Sequence, residues 1–396
     1  MAIQAFIRLW EILKIKGVPV KGNKTVVLQV VAAMEQGGVE QGTLDMAQYI
    51  REQGWVSMVA SKGGSMVTKL QAAGVKHISL PLKNRNPFAI LYNAYYLAKI
   101  VRQYKVDILH ARSRGPAWAA LIASKITKAP LITSFHGTHK IQNKLKWFYN
   151  NVMTKGVFTI ANSKFIWEHI IHYYHLPVEK LRIAERGINP NFFNKENISI
   201  KEMNALRKKW GLNDDPVILM PGRLTPWKGQ SVFIKALSEI QDTPWNALVV
   251  GGADKKKRYE KELKAEAKKY GLEKRIIFTG GQSPLTLYYA IANIVVSASI
   301  EPEAFGRIAI EAGAMGVPVI ATAHGGSLET IKDKETGYLV PVNDSTAMAK
   351  ILLELIQDHE KQTAIGAKAS NWIRNNFTVD KMCKKEFGVY TEVLNV

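Results

Sequence analysis

The chain has 396 residues, 47% of them hydrophobic, a single cysteine and a formal charge of +21. That is enough for two ordinary domains with separate cores. It excludes a small cross-linked scaffold, because Cys383 can form no intramolecular disulfide and no cysteine cluster exists to hold zinc. The charge is uneven: residues 1–190 carry +17 and the remainder +4.

A basic half points to an anionic partner: nucleic acid, a membrane surface or an acidic substrate. The chain carries no nucleic-acid-binding motif, so no nucleic-acid partner is expected. No apolar run reaches the roughly 20 residues needed to span a bilayer.

Residues 1–23 form the first predicted element. Ile3, Phe6, Ile7, Trp10 and Leu13 fall at helical spacing among Arg8, Lys14 and Lys16, the pattern of an amphipathic segment. It either lies in a membrane interface or packs on its own domain. Arg8 and Glu11 interrupt the apolar region and no basic stretch precedes it, so it does not read as a signal peptide.

Strand–helix alternation begins at Lys24 with the apolar run KTVVLQVVAA and continues with strands over 56–60, 77–82, 106–111, 130–135 and 157–161. This predicts a doubly wound α/β domain over 24–189, with ligands beyond the carboxyl ends of its strands. At such ends fall Gly37 and Gly38, where the lack of a β-carbon permits close approach. His110, Arg112 and Arg114 fall there too, placed to meet an acceptor phosphate, as does His136 in TSFHGTH. His139 follows three residues later, but no third metal ligand is near it in sequence.

Residues 187–201, GINPNFFNKENISIK, lose periodicity and read as an interdomain linker. A second alternation follows, with strands over 217–220, 247–250, 275–278, 294–297 and 317–321, giving a domain over 190–376. Lys255–Arg258 open a heavily charged helix whose Lys and Glu spacing describes a solvated face. Helices over 344–357, 360–376 and 378–394 close the chain.

Two stretches of the second half carry the chemistry. In EPEAFGRIAIEAGAMGVPVIATAHGG, Glu303 precedes the Phe305-Gly306 turn, and Glu311 follows eight residues later on a predicted helix. At about 1.5 Å per residue, these eight residues span roughly 12 Å, about the length of a sugar diphosphate. The amides of a helix N-terminus would lie between the carboxylates and favour anionic oxygens. In PGRLTPWKG, Arg223 and Lys228 follow another strand end, as fixed cations for a leaving diphosphate. No Asp-x-Asp motif is present to hold a divalent ion, so no metal and no cofactor are expected.

These two motifs closely resemble the retaining glycosyltransferases of the glycogen-synthase-like, mannosyltransferase-type family (glycosyl transferases group 1), and the resemblance runs over nearly the whole chain after Lys24. It implies a GT-B fold, two Rossmann-like domains facing a central cleft, with residues 377–396 crossing back to the first. It also implies a UDP- or GDP-linked sugar as donor. Glu303 would contact the donor sugar, Arg223 and Lys228 the diphosphate, the amides of Phe305, Gly306 and Arg307 the phosphates, and Glu311 the ribose. His136 would stand near the reaction centre, and Gly37 and Gly38 would border the acceptor and donor phosphates. The family's Gly-Ile-Asp is here Gly187-Ile188-Asn189, so any role of that acid does not carry over.

The expected activity is metal-independent, retaining transfer to a lipid-linked or lipopolysaccharide-type acceptor. The enzyme would be cytoplasmic, peripheral on an anionic inner membrane face. The alternatives are a soluble transferase acting on a saccharide or small molecule, and a non-enzymatic basic membrane- or nucleic-acid-binding protein.

Overall fold

A computed structural model describes residues 24–35, 37–139, 141–253 and 258–395. The amphipathic reading of 1–23 and most of the Lys255–Arg258 run lie outside the described residues.

The described chain folds as alternating strands and helices grouped into two parallel sheets. The first holds β1 (Val26–Val30), β2 (Val56–Ser61), β3 (Lys76–Ser79), β4 (Ile108–Ala111), β5 (Leu131–Phe135), β6 (Phe158–Ala161) and β7 (Leu181–Ile183), ordered β3-β2-β1-β4-β5-β6-β7. The second holds β8 (Val217–Pro221), β9 (Asn246–Val250), β10 (Ile276–Gly280), β11 (Ile294–Ser297), β12 (Val319–Thr322) and β13 (Tyr338–Val340), ordered β10-β9-β8-β11-β12-β13. Helices cover both faces, which is why β1, β8 and β11 are buried at every position and read as continuous apolar runs.

By contacts the chain divides into two compact units. Among the described residues, unit 1 comprises those of 24–134, 141–159 and 387–395, and unit 2 those of 135–139 and 160–386. Residues 387–395 therefore group with unit 1, where Tyr390 is buried and its hydroxyl meets His110 Nδ1 at 2.6 Å. In unit 2 one apolar cluster gathers Ile218, Phe233, Trp245 and Leu352 on one face of the sheet. A second gathers Leu219, Tyr289, Phe305 and Ile310 on the other.

The eleven predicted strands are present with ends shifted by a few residues, while β7 and β13, of three residues each, escaped the sequence pattern. The predicted linker also ends earlier than expected. Ser199 caps a helix over Ile200–Lys209, its hydroxyl accepting the Glu202 amide while Glu202 accepts the Ser199 amide, a reciprocal cap that the S-x-x-E spelling announces.

In both sheets the strand order reverses between two neighbours, β1 and β4 in the first and β8 and β11 in the second. A ligand crevice opens beyond the carboxyl ends of such a pair. Four connections therefore matter most: those leaving β1, β4, β8 and β11.

Candidate active site

In unit 2 the two motifs singled out in the sequence leave the two strands flanking the reversal. β8 runs into Gly222-Arg223 and a short turn over Pro226–Lys228, and β11 runs into Ser299, Glu303 and the helix Arg307–Ala314. Parallel pairing of Ile294 with Ile218 and Val295 with Leu219 sets the strands in register, so both connections leave the same sheet edge.

Lys228 and Glu303 meet there. The ammonium donates to Glu303 Oε1 at 2.7 Å, and both side chains are about seven-eighths buried. Ser299 donates to the same oxygen at 2.6 Å and Ser297 at 3.4 Å, while the ammonium lies 4.4 Å over the Trp227 ring. Burial pushes the Glu303 carboxyl up, but the Lys228 charge and the hydrogen bonds from Lys228, Ser299 and Ser297 outweigh it and hold it below its ordinary value. Arg223 is exposed on the same connection, its carbonyl fixed by Gln230 Nε2 at 3.0 Å.

Past Glu303 the chain turns through Phe305, whose ring is buried against Phe377 at 5.6 Å, into Gly306, which caps the helix at φ +81°. That backbone conformation is what only glycine adopts without strain. Two facing glycines press on the turn: Gly326 donates to the Glu303 carbonyl at 2.8 Å, and a β-carbon on it would lie 2.3 Å from Phe305 Cα. The A-H-G-G that ends the motif is thus the backing of the loop. The Arg307 and Ile308 amides open the helix and have no intrahelical acceptor.

The helix begins at Arg307, so only half of the interval between Glu303 and Glu311 is helical, about 6 Å of rise. The roughly 12 Å helical offset expected from the spacing is corrected accordingly: a glycine turn and one helical turn join the two carboxylates. Glu311 is buried. Arg307 Nη2 donates to its Oε1 at 2.7 Å and the buried Tyr289 hydroxyl to its Oε2 at 2.9 Å. Burial, reinforced by that carboxylate, keeps the Tyr289 phenol well above its ordinary pKa and therefore a neutral donor.

His136 follows β5 and is half-buried. Arg186 Nη2 lies 3.1 Å from its Nδ1, and a guanidinium can only donate, so Nδ1 is the acceptor and the ring proton resides on Nε2. Arg186 is itself buried. Sequence reasoning passed over it, although it immediately precedes Gly187-Ile188-Asn189. There the Ile188 backbone pairs with Phe377 and Val379, and the Asn189 side chain accepts the Asn191 amide as a turn cap, a local use for the residue that replaces the family's acid. Ser163 and Glu329 were also missed. Ser163 donates to the Ala304 carbonyl at 2.6 Å, and Glu329 accepts the Lys164 and Phe165 amides at the start of the helix Lys164–Tyr174.

The residues expected at the acceptor lie in unit 1. Gly37 caps the helix Gly38–Glu52 in extended conformation and Gly38 is its first residue. His110 is fully buried in β4, its ring nitrogens 2.6 Å from the Tyr390 and Ser134 hydroxyls, and Arg112 is fully buried with its Nε donating to Gln29 at 2.6 Å. Both side chains are thus buried among unit 1 residues, His110 within β4 and Arg112 just after it, where the sequence had placed them facing a ligand. Arg114, half-buried at a helix start, donates to Asn150 at 2.7 Å.

Two family models match the chain. The model "Glycosyl transferases group 1" covers residues 202–372 and "Glycosyltransferase Family 4" covers 36–192. A crystal structure of a glycosyltransferase from Rickettsia africae is 36% identical and superposes with a TM-score of 0.87, over 94% of this chain and 99% of that one. The chain belongs to the glycosyl transferases group 1 family.

Members named among its relatives include a GDP-mannose-dependent alpha-(1-6)-phosphatidylinositol monomannoside mannosyltransferase of Mycolicibacterium smegmatis. It is 32% identical over 43% of this chain, and the match spans only 47%, about half, of that relative's length. The Anabaena protein HepE, crystallised in complex with UDP and glucose, is 24% identical and shares the fold, with a TM-score of 0.83 over 93% of this chain and all of that one. The two-sheet GT-B architecture and the assignment to glycosyltransferases are therefore established, and with them the expectation of an enzyme.

Proposed function

We propose that the protein is a metal-independent, retaining glycosyltransferase. It would move a sugar from a UDP- or GDP-linked donor to a lipid-linked or lipopolysaccharide-type acceptor at the cytoplasmic face of a membrane. The observation that carries the donor half is the convergence, at one sheet edge of unit 2, of the Lys228–Glu303 pair and the N-terminus of the helix Arg307–Ala314.

Each part has a chemical role. Glu303, ionised and held by Ser297 and Ser299, accepts sugar hydroxyls. Lys228, Arg223 and the first helical amides stabilise the diphosphate, whose charge grows as the anomeric C–O bond breaks. Glu311 accepts from the ribose hydroxyls. His136, with its proton on Nε2, donates to the sugar near the anomeric centre. In the front-face route the acceptor hydroxyl attacks the carbon on the side the leaving group departs. Its proton passes to the leaving phosphate oxygen, so configuration is kept without a covalent enzyme intermediate. A two-carboxylate hydrolase would need its acids at a fixed short separation across the scissile bond. In this reading Glu303 and Glu311 instead take opposite ends of the turn proposed to hold the diphosphate.

The test is a panel of UDP- and GDP-sugars offered with lipid-linked and with soluble acceptors, reading nucleoside diphosphate release and the anomeric configuration of the product. Release with one donor class and retained configuration in the lipid-linked product is the expected result. Turnover only with soluble acceptors would replace the membrane half of the reading, and no release with any donor would overturn it.

A further inference from the structure

Two helices of unit 1 present apolar side chains to solvent that no step of the donor chemistry uses. The helix Pro87–Tyr104, capped by Asn86, buries Ala94, Leu97 and Val101. On its outer face Phe88, Leu91 and Tyr95, at i, i+3 and i+7, are 81%, 59% and 64% exposed. The helix Lys144–Asn151, capped by Asn143, exposes Leu145 at 77% and Phe148 at 58%. Trp118 anchors this second helix by donating to the Tyr149 carbonyl at 3.1 Å and packing on Phe148. An open cavity of about 760 Å³ lies between the helices, walled by Ile90, Leu91, Trp118 and Phe148, with Arg85 and Lys146 at its rim.

A contiguous exposed apolar patch rimmed by polar groups marks an interaction site, and charge says what covers this one. From residue 53 to residue 167 the sequence holds 17 Lys and Arg and one acid, Asp107, whose carboxylate is occupied by the Val26 amide at 2.7 Å. A second copy would set cation against cation. An apolar phase bounded by anionic groups matches both features.

We infer that this groove and its two helices dock on an anionic phospholipid bilayer. Phe88, Leu91, Leu145 and Phe148 enter the acyl boundary, and Arg85, Lys144 and Lys146 meet lipid phosphates. The inference rests on the reading of a lipid-linked acceptor and locates the surface through which the enzyme reaches it. The attachment is reversible, as expected of an interfacial contact that combines a few apolar side chains with a basic patch.

The test uses the full chain with vesicles of phosphatidylcholine alone or mixed with phosphatidylglycerol, at low and high salt, read by co-sedimentation. The protein should pellet with the mixed vesicles and be released by salt. Leu145→Ser with Phe148→Ser should weaken partition by more than about tenfold at any salt. Arg85→Gln with Lys146→Gln should lose about fivefold per charge at low salt only. Both variants should keep the circular dichroism of the parent and its release of nucleoside diphosphate. A parent that never pellets, or variants that pellet like the parent, would overturn the docking surface. So would an apolar variant that turns a dimer into a monomer, since a second copy would then be the occupant. Loss of the transferase reading would register separately, as absence of donor turnover in the parent, without altering the vesicle result.

Discussion

Glu303→Gln removes one charge from the Lys228–Glu303 pair while keeping its shape. At 2.7 Å and an effective dielectric of about 20, the attraction is about 6 kcal/mol gross. Desolvation of two groups only an eighth exposed offsets most of it, yet removing one partner strands the other, which costs about 3–5 kcal/mol where burial is complete. Lys228 retains the Trp227 ring and a sliver of solvent, so we expect about 2–3 kcal/mol, a Tm lowered by roughly 5–10 °C for a unit of this size.

Lys228→Met should cost a similar amount, and the double variant clearly less than the two together, because the second substitution removes the stranded charge. Thermal and urea unfolding of the four proteins, without donor, gives the coupling. The pH dependence has a definite sign. Because the folded carboxyl titrates below the ordinary 4.5, the wild-type advantage is complete above that value and fades as pH falls through the lowered native one. Additive single effects, or an advantage that grows on acidification, would refute the pairing argument.

Glu311→Ala should weaken donor binding by about tenfold to a hundredfold, the cost of a charged hydrogen bond, measured by calorimetry; unchanged affinity in a folded variant excludes the ribose role. Turnover should survive EDTA and fall by about 100-fold or more in Arg223→Ala, whereas an enzyme silenced by chelation and rescued by Mg²⁺ would show that a metal does this work. Arg186→Ala should lower kcat with little change in KM and alter the pH–rate profile, with Arg186→Lys restoring part of the rate. This follows because Arg186 sets which nitrogen of His136 carries the proton; equal loss in both variants with an unchanged profile would leave Arg186 a packing role alone.

Much was legible in the residues because it is local. Continuous apolar runs such as Val26–Val30 and Ile294–Ser297 announce strands covered on both faces, and the A-F-G-R spelling announces a helix entered through a left-handed glycine. The pairing of Glu303 with Lys228 was not legible, since 75 residues separate them and only the register of β8 with β11 brings them to one edge. The same holds for Arg186 with His136, 50 residues apart, and for Tyr289 with Glu311. Burial was the other thing hidden. Strand ends at His110 and Arg112 look alike in sequence whether they face solvent or the interior; the Tyr390 hydroxyl, 280 residues away, meets the buried His110, and Gln29, 83 residues away, meets the buried Arg112. Sequence by itself determined the elements, the basic half and the residue types at the turns. Tertiary structure decided which charges neutralise each other, because ion pairing and desolvation depend on distances that chain order does not set.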